Sequence, residues 1–274
     1  MGVPFVKMHG IGNDFIVIDG FRYAVENPAD FARSVCRRRF SVGADGVIFV
    51  MPSAIADVRM WIFNSDGSEA EMCGNGIRCT AKFAHDQGIC TKPEIDVETL
   101  AGVKHIVQRI ENGIAVASTV DMGAPLFDPV KIPVAADTNR VHIDLDGRMC
   151  EFFCVSTGVP HAVTFDLFPE NADFLRLGAM LEAHPLFPRK ANIEFCRVID
   201  RENVRVQVWE RGCGPTLACG TGSCAVLAAG VSMGLVNSSA SIHLPGGTLK
   251  DRWAENGHIF MTGPAEAIAC GQIL

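Results

Sequence analysis

Short apolar runs separated by glycine, asparagine, aspartate and proline recur along the chain and predict a protein built mainly of β-strands. Helical patterns are fewer. The first half contains one over residues 28–36, with Asn27 as its N-cap and Pro28 at its first position, and one over residues 75–86. The strands predicted in this half cover residues 15–18, 46–50, 59–64, 94–99, 103–110 and 113–120.

The second half of the chain has a similar order of predicted elements. A turn-rich segment at residues 123–129 is a candidate linker between the halves. Strands are predicted at residues 150–156 and 203–210, with a turn at residues 157–161. Helices are predicted at residues 172–184 and 223–231. Short strands are expected after residue 231.

A repeated cysteine–glycine motif relates the two halves. Residues 73–79 have the sequence CGNGIRC and residues 219–225 have the sequence CGTGSCA, at an offset of 146 residues (219 − 73). Each motif follows a strand that ends in a polar residue, and each begins a predicted helix. An internal duplication of one α/β unit is the simplest explanation, with two coincidental glycine loops as the alternative.

The position of each cysteine suggests acid–base chemistry. Glycines let the backbone approach a ligand, and the N–H groups at a helix start can bind a carboxylate. The helix dipole is expected to lower the pKa of a cysteine placed there. If the two motifs face each other, Cys73 and Cys219 lie on opposite sides of a bound carboxylate. Such a thiolate–thiol pair can invert the carbon next to that carboxylate.

Composition and charge exclude several other functions. The 274 residues include 24 lysines and arginines against 31 aspartates and glutamates, so the net charge of −7 argues against nucleic-acid binding. No apolar stretch approaches the roughly 18 residues of a membrane span, and no leader is recognised. We therefore expect a cytoplasmic protein that interacts with neither membrane nor nucleic acid.

The cysteine and glycine spacings argue against a metal site and against a nucleotide cofactor. The chain has 11 cysteines, which are expected to be reduced thiols in the cytoplasm. No C-x2-C pair occurs, so no metal site is expected, although a redox or metal-binding protein is the alternative for clustered thiols. Neither a dinucleotide-binding nor a Walker A motif is present, and no cofactor is expected.

Seven motifs in order along the chain resemble those of the diaminopimelate epimerase family. The resemblance spans nearly the whole chain and implies an α+β fold of two similar domains. Each domain would be a mainly antiparallel, barrel-like sheet around a central helix, with the active site in the interdomain cleft. The motifs are residues 9–15 (HGIGNDF), 43–46 (GADG), 63–68 (FNSDGS), 72–79 (MCGNGIRC), 158–161 (GVPH), 210–212 (ERG) and 218–222 (ACGTG).

The resemblance also implies domain limits and an activity. The N-terminal domain would comprise residues 1–120, completed by about residues 264–274, and the C-terminal domain residues 121–263. The expected enzyme is a homodimeric isomerase that epimerises LL-2,6-diaminopimelate to the meso form without a cofactor. Its partner is this small amino-acid substrate, and its product serves lysine and peptidoglycan precursor synthesis.

The family motifs assign roles to individual residues of this sequence. Cys73 and Cys219 would be the acid/base pair, and His161 and Glu210 would tune the two thiols. Glu210 would also contact the substrate. The remaining expected substrate contacts fall into two groups: backbone groups at Gly74, Asn75, Gly220 and Thr221 for the reacting carboxylate, and Asn13, Asn64, Asn192 and Arg211 for the other polar ends.

The sequence departs from the family pattern at a few positions. Val159 stands where the family commonly has asparagine, Pro215 where it often has glutamate, and Gly46 where some members have glutamine. These changes concern the substrate rather than the cysteine pair. A racemase of proline, hydroxyproline or histidine with the same two cysteines is therefore the alternative. A phenazine-type isomerase relative is disfavoured because such relatives lack the pair.

Overall fold

The computed structural model describes residues 2–274, so Met1, the first residue of the predicted N-terminal domain, lies outside the described residues. The chain divides into two compact units. One contains the chain up to Asp121 together with Thr262–Leu274, and the other contains Met122–Met261. Among residues 2–274, no helix is long and apolar enough to cross a membrane.

The N-terminal unit is a succession of paired strands with two helices. Strand β1 pairs with β2, β2 runs parallel to β3, and β3 pairs antiparallel with β4. The elements are β1 (Val3–Gly10), β2 (Asn13–Asp19), α1 (Pro28–Val35), β3 (Gly46–Met51), β4 (Val58–Asn64), β5 (Glu69–Ala70), α2 (Gly74–Asp86), β6 (Glu94–Thr99), β7 (Gly102–Glu111) and β8 (Ile114–Asp121).

The second unit begins a new set of strands with the same connections. Strand β10 pairs with β11, β11 runs parallel to β12, and β12 pairs antiparallel with β13. The elements are β9 (Arg140–Leu145), β10 (Arg148–Ser156), β11 (Pro160–Thr164), α3 (Asn171–Glu182), β12 (Asn192–Asp200), β13 (Asn203–Glu210), β14 (Gly214–Thr216), α4 (Gly220–Ser232), β15 (Ser239–Leu244), β16 (Gly247–Trp253) and β17 (Ile259–Gly263). The last strand, β18 (Glu266–Ile273), pairs with β1 and completes the N-terminal unit.

Strand registers show that the second unit repeats part of the first residue for residue. Phe15 lies opposite Gly46, and His161 lies opposite Asn192. Val47 pairs with Phe63, as Ile193 pairs with Trp209. Every one of these positions is related by the same 146 residues that separate Cys73 from Cys219. The repeat inferred from one motif thus extends from β2 to α2 without insertion, which supports the predicted duplication. Strand β10 is offset from β1 by 147 residues, because the turn before β11 is one residue shorter than the turn before β2.

Each unit places one helix against its own strands. Helix α2 packs on β1, β2 and β8, and helix α4 packs on β10, β15 and β16. Both have 13 residues, and almost all of them are buried. A helix buried on all sides needs apolar or fully hydrogen-bonded side chains. Helix α4 meets this need with alanine, valine and leucine, whereas α2 buries Lys82, which donates to Ala115 O at 2.7 Å.

Most predicted elements are present, and the α+β class is confirmed by the observed architecture. Two details differ. His161 lies in strand β11 rather than in a turn, because Pro160 already pairs with Ser156. Strand β12 carries no matching prediction, since Asn192 and Glu194 interrupt its apolar pattern although both side chains are buried. Because buried polar residues are uncommon in a strand, β12 is a candidate for a functional role.

Candidate active site

Cys73 is the N-cap residue of helix α2. Its backbone is extended, with φ −140° and ψ 119°, and its Sγ accepts a hydrogen bond from Gly76 N at 3.3 Å. Serine, threonine, aspartate and asparagine are the usual N-caps, because oxygen is a better acceptor than sulfur. A cysteine here is thus a poor choice for helix stability, which points to a chemical role for its thiol.

Cys219 occupies the matching position of helix α4 with nearly the same geometry. Its φ is −129° and its ψ is 110°, and its Sγ accepts from Gly222 N at 3.3 Å. The next residues, Gly220 and Thr221, begin the helix, so their backbone lies beside the thiol as the sequence predicts. The first turn of a helix presents N–H groups without intrahelical acceptors, which suits a carboxylate.

Neutral amides surround Cys73 in what we call the N-terminal thiol site, formed by Cys73, Asn13 and Asn75. Asn13 Oδ1 lies 3.6 Å from Cys73 Sγ and accepts from Asn75 Nδ2 at 3.3 Å. The other end of the Asn13 amide donates to Asp45 Oδ2 at 2.9 Å. Asp45 therefore fixes the orientation of this amide so that its oxygen faces the thiol.

A fully buried arginine supports the start of helix α2. Arg78 donates to Gly74 O and to Asn75 Oδ1, both at 2.9 Å, and to Pro264 O at 3.1 Å. Its guanidinium thus ties the first turn of α2 to the returning C-terminal segment of the same unit. Since Asn75 is held in this way, the polar groups near Cys73 form a pre-organised set.

Carboxylates characterise the C-terminal thiol site, which we define as Cys219, Glu210, Thr221, His161 and Glu194. Glu210 ends strand β13, accepts from Thr216 Oγ1 at 2.6 Å and forms a hydrogen bond with Cys219. Thr221 Oγ1 lies 3.4 Å from Cys219 Sγ. Burial raises the pKa of Glu210, and the hydrogen bonds from Thr216 and Cys219 oppose that shift.

The surroundings of Cys219 favour the protonated form of its thiol. Burial raises the pKa of the Cys219 thiol well above its usual value, and the nearby Glu210 and Glu194 carboxyls raise it further. The hydrogen bonds of Thr221 and Gly222 lower it by less. The expectation that the helix N-terminus lowers this pKa is wrong for Cys219, because desolvation and two acidic neighbours outweigh the helix dipole.

A buried histidine–glutamate pair completes the C-terminal thiol site. His161 Nδ1 and Glu194 Oε1 are 2.6 Å apart, and both side chains are fully buried. Burial raises the pKa of Glu194, and His161 opposes that shift. His161 was predicted to tune the thiols. The sequence reasoning missed Glu194, although an offset of 146 residues relates it to the apolar Ile48 and could have revealed it.

The other predicted binding residues surround the end of strand β13 or lie in the N-terminal unit. Asn192 is buried, and its Oδ1 accepts from Arg211 N at 2.7 Å, so it holds the backbone that carries Arg211. The Arg211 guanidinium donates to Arg189 O at 3.2 Å. Asn64 is exposed at the end of β4 and donates from Nδ2 to Ser68 Oγ at 3.0 Å.

Comparison with known proteins gives matches over the whole chain. A family model described as diaminopimelate epimerase matches residues 5–127 and 153–268. A diaminopimelate epimerase of Acetivibrio thermocellus is 47% identical over 98% of both chains. One of Methanococcus maripaludis is 46% identical over 99% of both chains.

Solved structures with much lower sequence identity share the fold. A hydroxyproline epimerase from Agrobacterium vitis, solved with bound trans-4-hydroxy-L-proline, superposes with a TM-score of 0.72. The alignment covers 99% of this chain and 92% of that one, at 17% identity. At this identity the likeness concerns the fold alone.

Proposed function

Since the chain belongs to the diaminopimelate epimerase family and is an isomerase of the epimerase type, we propose that it interconverts LL- and meso-2,6-diaminopimelate. The observation that carries this proposal is the pair of N-cap cysteines, which have the same backbone and hydrogen-bond geometry in both repeats. We propose further that the enzyme needs no added cofactor and supplies precursors of lysine and peptidoglycan as a cytoplasmic homodimer.

The proposed reaction uses two bases. A thiolate takes the proton from one face of the substrate α-carbon, and the other cysteine donates its Sγ proton to the opposite face. Because its surroundings raise the pKa of Cys219, we assign this residue as the acid in the first direction. Cys73 is then the base, and it must lose its Sγ proton before the reaction begins. The proton count balances, since Cys73 ends as a thiol and Cys219 as a thiolate. The reverse reaction exchanges these roles.

Backbone N–H groups stabilise the charge that develops during proton removal. Loss of the α-proton places negative charge on the substrate carboxylate, and the positive ends of α2 and α4 favour that charge. Gly74, Asn75, Gly220 and Thr221 lie in these first turns. Arg211 suits the second carboxylate of the substrate, because guanidinium binds carboxylate bidentately. Asn13, Asn64 and Asn192 would contact its amino groups.

Epimerisation in deuterated water tests the proposal. The wild-type protein, kept reduced and without added cofactor, is incubated with LL-diaminopimelate. We expect deuterium at one α-carbon and the appearance of the meso form. The double variant Cys73→Ser/Cys219→Ser is the control and should show neither.

Other outcomes would overturn the proposed substrate or the proposed chemistry. Exchange with proline, hydroxyproline or histidine but not with LL-diaminopimelate would favour the alternative racemase, with Val159 as the first residue to examine. Absence of exchange with all four amino acids, from folded protein with reduced thiols, would contradict the two-base reaction itself.

A further inference from the structure

The two repeats differ at one pair of positions beneath the helix N-terminus. In the second unit these positions hold His161 and Glu194, and in the first unit they hold Phe15 and Ile48. All four side chains are buried. A Cβ atom added to Gly222 would lie 2.9 Å from Glu194 Oε1, and one added to Gly76 would lie 3.2 Å from Ile48 Cδ1. Glu194 and Ile48 therefore occupy the same place under matching helices.

The fold does not require a polar pair at this place. Phe15 and Ile48 show that the same strand–helix arrangement forms with apolar side chains. Burying a carboxylate and an imidazole is costly, and replacing a buried ion pair by apolar residues is often neutral or stabilising. The presence of His161 and Glu194 in only one repeat therefore calls for a chemical explanation.

The pair has one satisfied contact and two unsatisfied atoms. His161 Nδ1 faces Glu194 Oε1 at 2.6 Å. His161 Nε2 and Glu194 Oε2 are buried and have no hydrogen-bond partner among residues 2–274. When a carboxylate accepts the Nδ1 proton, it fixes the tautomer, and Nε2 is left with its lone pair. Such a ring is prepared to exchange a proton.

Several ionisable groups of the same unit share the surroundings of Glu194. Its charge raises the pKa of the Cys219 thiol, and Glu210 acts on the same thiol. The same charge also raises the pKa of buried thiols on neighbouring strands. The titratable groups that interact with the pair are His161 of β11, Glu210 of β13, Cys154 of β10, Cys196 of β12 and Cys219 of α4.

We propose that Glu194 is a positioning residue of the epimerase: it accepts the Nδ1 proton of His161 and holds the ring with Nε2 ready to exchange a proton in the reaction. This inference rests on the proposed function for its kinetic consequence. The orientation of the His161 ring follows from the contact between the two side chains alone. Glu194 acts through His161.

Three variants separate positioning from folding. Glu194→Gln keeps the shape and a hydrogen-bonding group but removes the charge. Glu194→Ile copies Ile48 and leaves Nδ1 without its acceptor. The double variant His161→Phe/Glu194→Ile copies the complete pair of the first repeat and serves as the control for folding, because the first repeat shows that this combination packs.

The kinetic readout is kcat and KM for LL-diaminopimelate as a function of pH. For Glu194→Ile we expect kcat to fall by about 100-fold with KM changed little, since the loss affects proton transfer rather than binding. Glu194→Gln should retain more activity than Glu194→Ile. The double variant should fold and should not recover the kcat lost in Glu194→Ile.

A second readout does not depend on the substrate. Proteins with 15N-labelled histidine give ring-nitrogen signals, and the His161→Phe/Glu194→Ile spectrum identifies the signal of His161 by its absence. We expect the Nδ1–H tautomer in the wild type and a loss of that preference in Glu194→Ile, because Nδ1 then has no acceptor. If the wild type lacks epimerase activity but this change of tautomer occurs, the proposed function fails while the His161–Glu194 positioning stands.

The opposite results would overturn the inference. An unchanged His161 tautomer in Glu194→Ile would show that Glu194 does not position the ring. Wild-type kcat and pH profile in Glu194→Ile would show that positioning has no role in the reaction. A double variant that does not fold would contradict the argument that the pair is dispensable for packing.

Discussion

The N-terminal and C-terminal thiol sites have the same backbone and different surroundings. Each cysteine caps a 13-residue helix and accepts from a glycine N–H at 3.3 Å. Asn13 and Asn75 lie beside Cys73, whereas Glu210 and Glu194 lie near Cys219. The duplicated fold thus supplies two equal positions for a thiol, and the side chains around them make the two thiols unequal.

The difference provides a physical basis for separate acid and base roles. Two identical thiols would compete equally for one proton, but a two-base reaction needs one thiol and one thiolate at the start. Burial and the nearby carboxylates raise the pKa of Cys219, which favours its thiol form. Residues that push the pKa values of paired groups apart commonly define such roles.

Serine at either cysteine position is expected to have the largest effect. Serine keeps an N-cap acceptor for the helix, so Cys73→Ser and Cys219→Ser should fold normally. Its hydroxyl does not ionise near neutral pH. We expect kcat for epimerisation to fall by about 1,000-fold or more in each variant. Thermal unfolding measured alongside the rate separates chemistry from stability. A single variant with near wild-type turnover would show that one thiol suffices.

Replacing Glu210 by asparagine should make the two sites more alike. The same offset of 146 residues relates Glu210 to Asn64, so Glu210→Asn installs the residue of the first repeat. We expect kcat to fall by about 100-fold. The carboxylate raises the pKa of Cys219, so its removal should lower that pKa and shift alkylation of this thiol to lower pH.

Iodoacetamide labelling followed by peptide mass spectrometry gives the Cys219 alkylation rate at each pH. Thr216→Val is the matched control, because it removes a hydrogen bond to Glu210 but keeps the carboxylate. Its effect on the Cys219 profile should be smaller. An alkylation profile that is the same in Glu210→Asn and the wild type would argue against electrostatic control by Glu210.

Alanine in place of Gly76 or Gly222, whose N–H groups donate to the two cysteines, should produce the smallest differences in kcat between the two sites. In Gly222→Ala the new methyl group meets Glu194 Oε1 at 2.9 Å, and in Gly76→Ala it meets the Ile48 and Ile62 methyl groups at 3.2 Å. Both changes should lower the free energy of unfolding by about 1–3 kcal/mol through overpacking.

The expected contrast between the two alanine variants lies in catalysis. Displacement of Glu194 should lower kcat by about tenfold more in Gly222→Ala than in Gly76→Ala. Chemical denaturation and steady-state kinetics on the same preparations measure both effects. Equal losses of kcat would show that the residue beneath the glycine does not matter to the reaction.

Local sequence patterns were sufficient for most of the secondary structure. Asn27 caps helix α1 by accepting from Asp30 N at 3.2 Å, as its position before Pro28 predicted. Strand β13 has the predicted limits Asn203–Glu210. The family resemblance drawn from the ordered motifs is confirmed by the family match and by relatives of 46–47% identity. These features depend on neighbouring residues or on motifs, so they can be recognised without a structure.

The sequence by itself determined the repeated motif, the two matching N-cap cysteines and the family, because repeated motifs and capping patterns are local. Tertiary structure decided the direction of the Cys219 pKa shift and the place of Glu194. Residues distant along the chain, Glu210 and Glu194, approach the same thiol, and burial removes it from water. Desolvation and through-space charge depend on such packing, so the helix-dipole argument alone gave the wrong direction for this pKa.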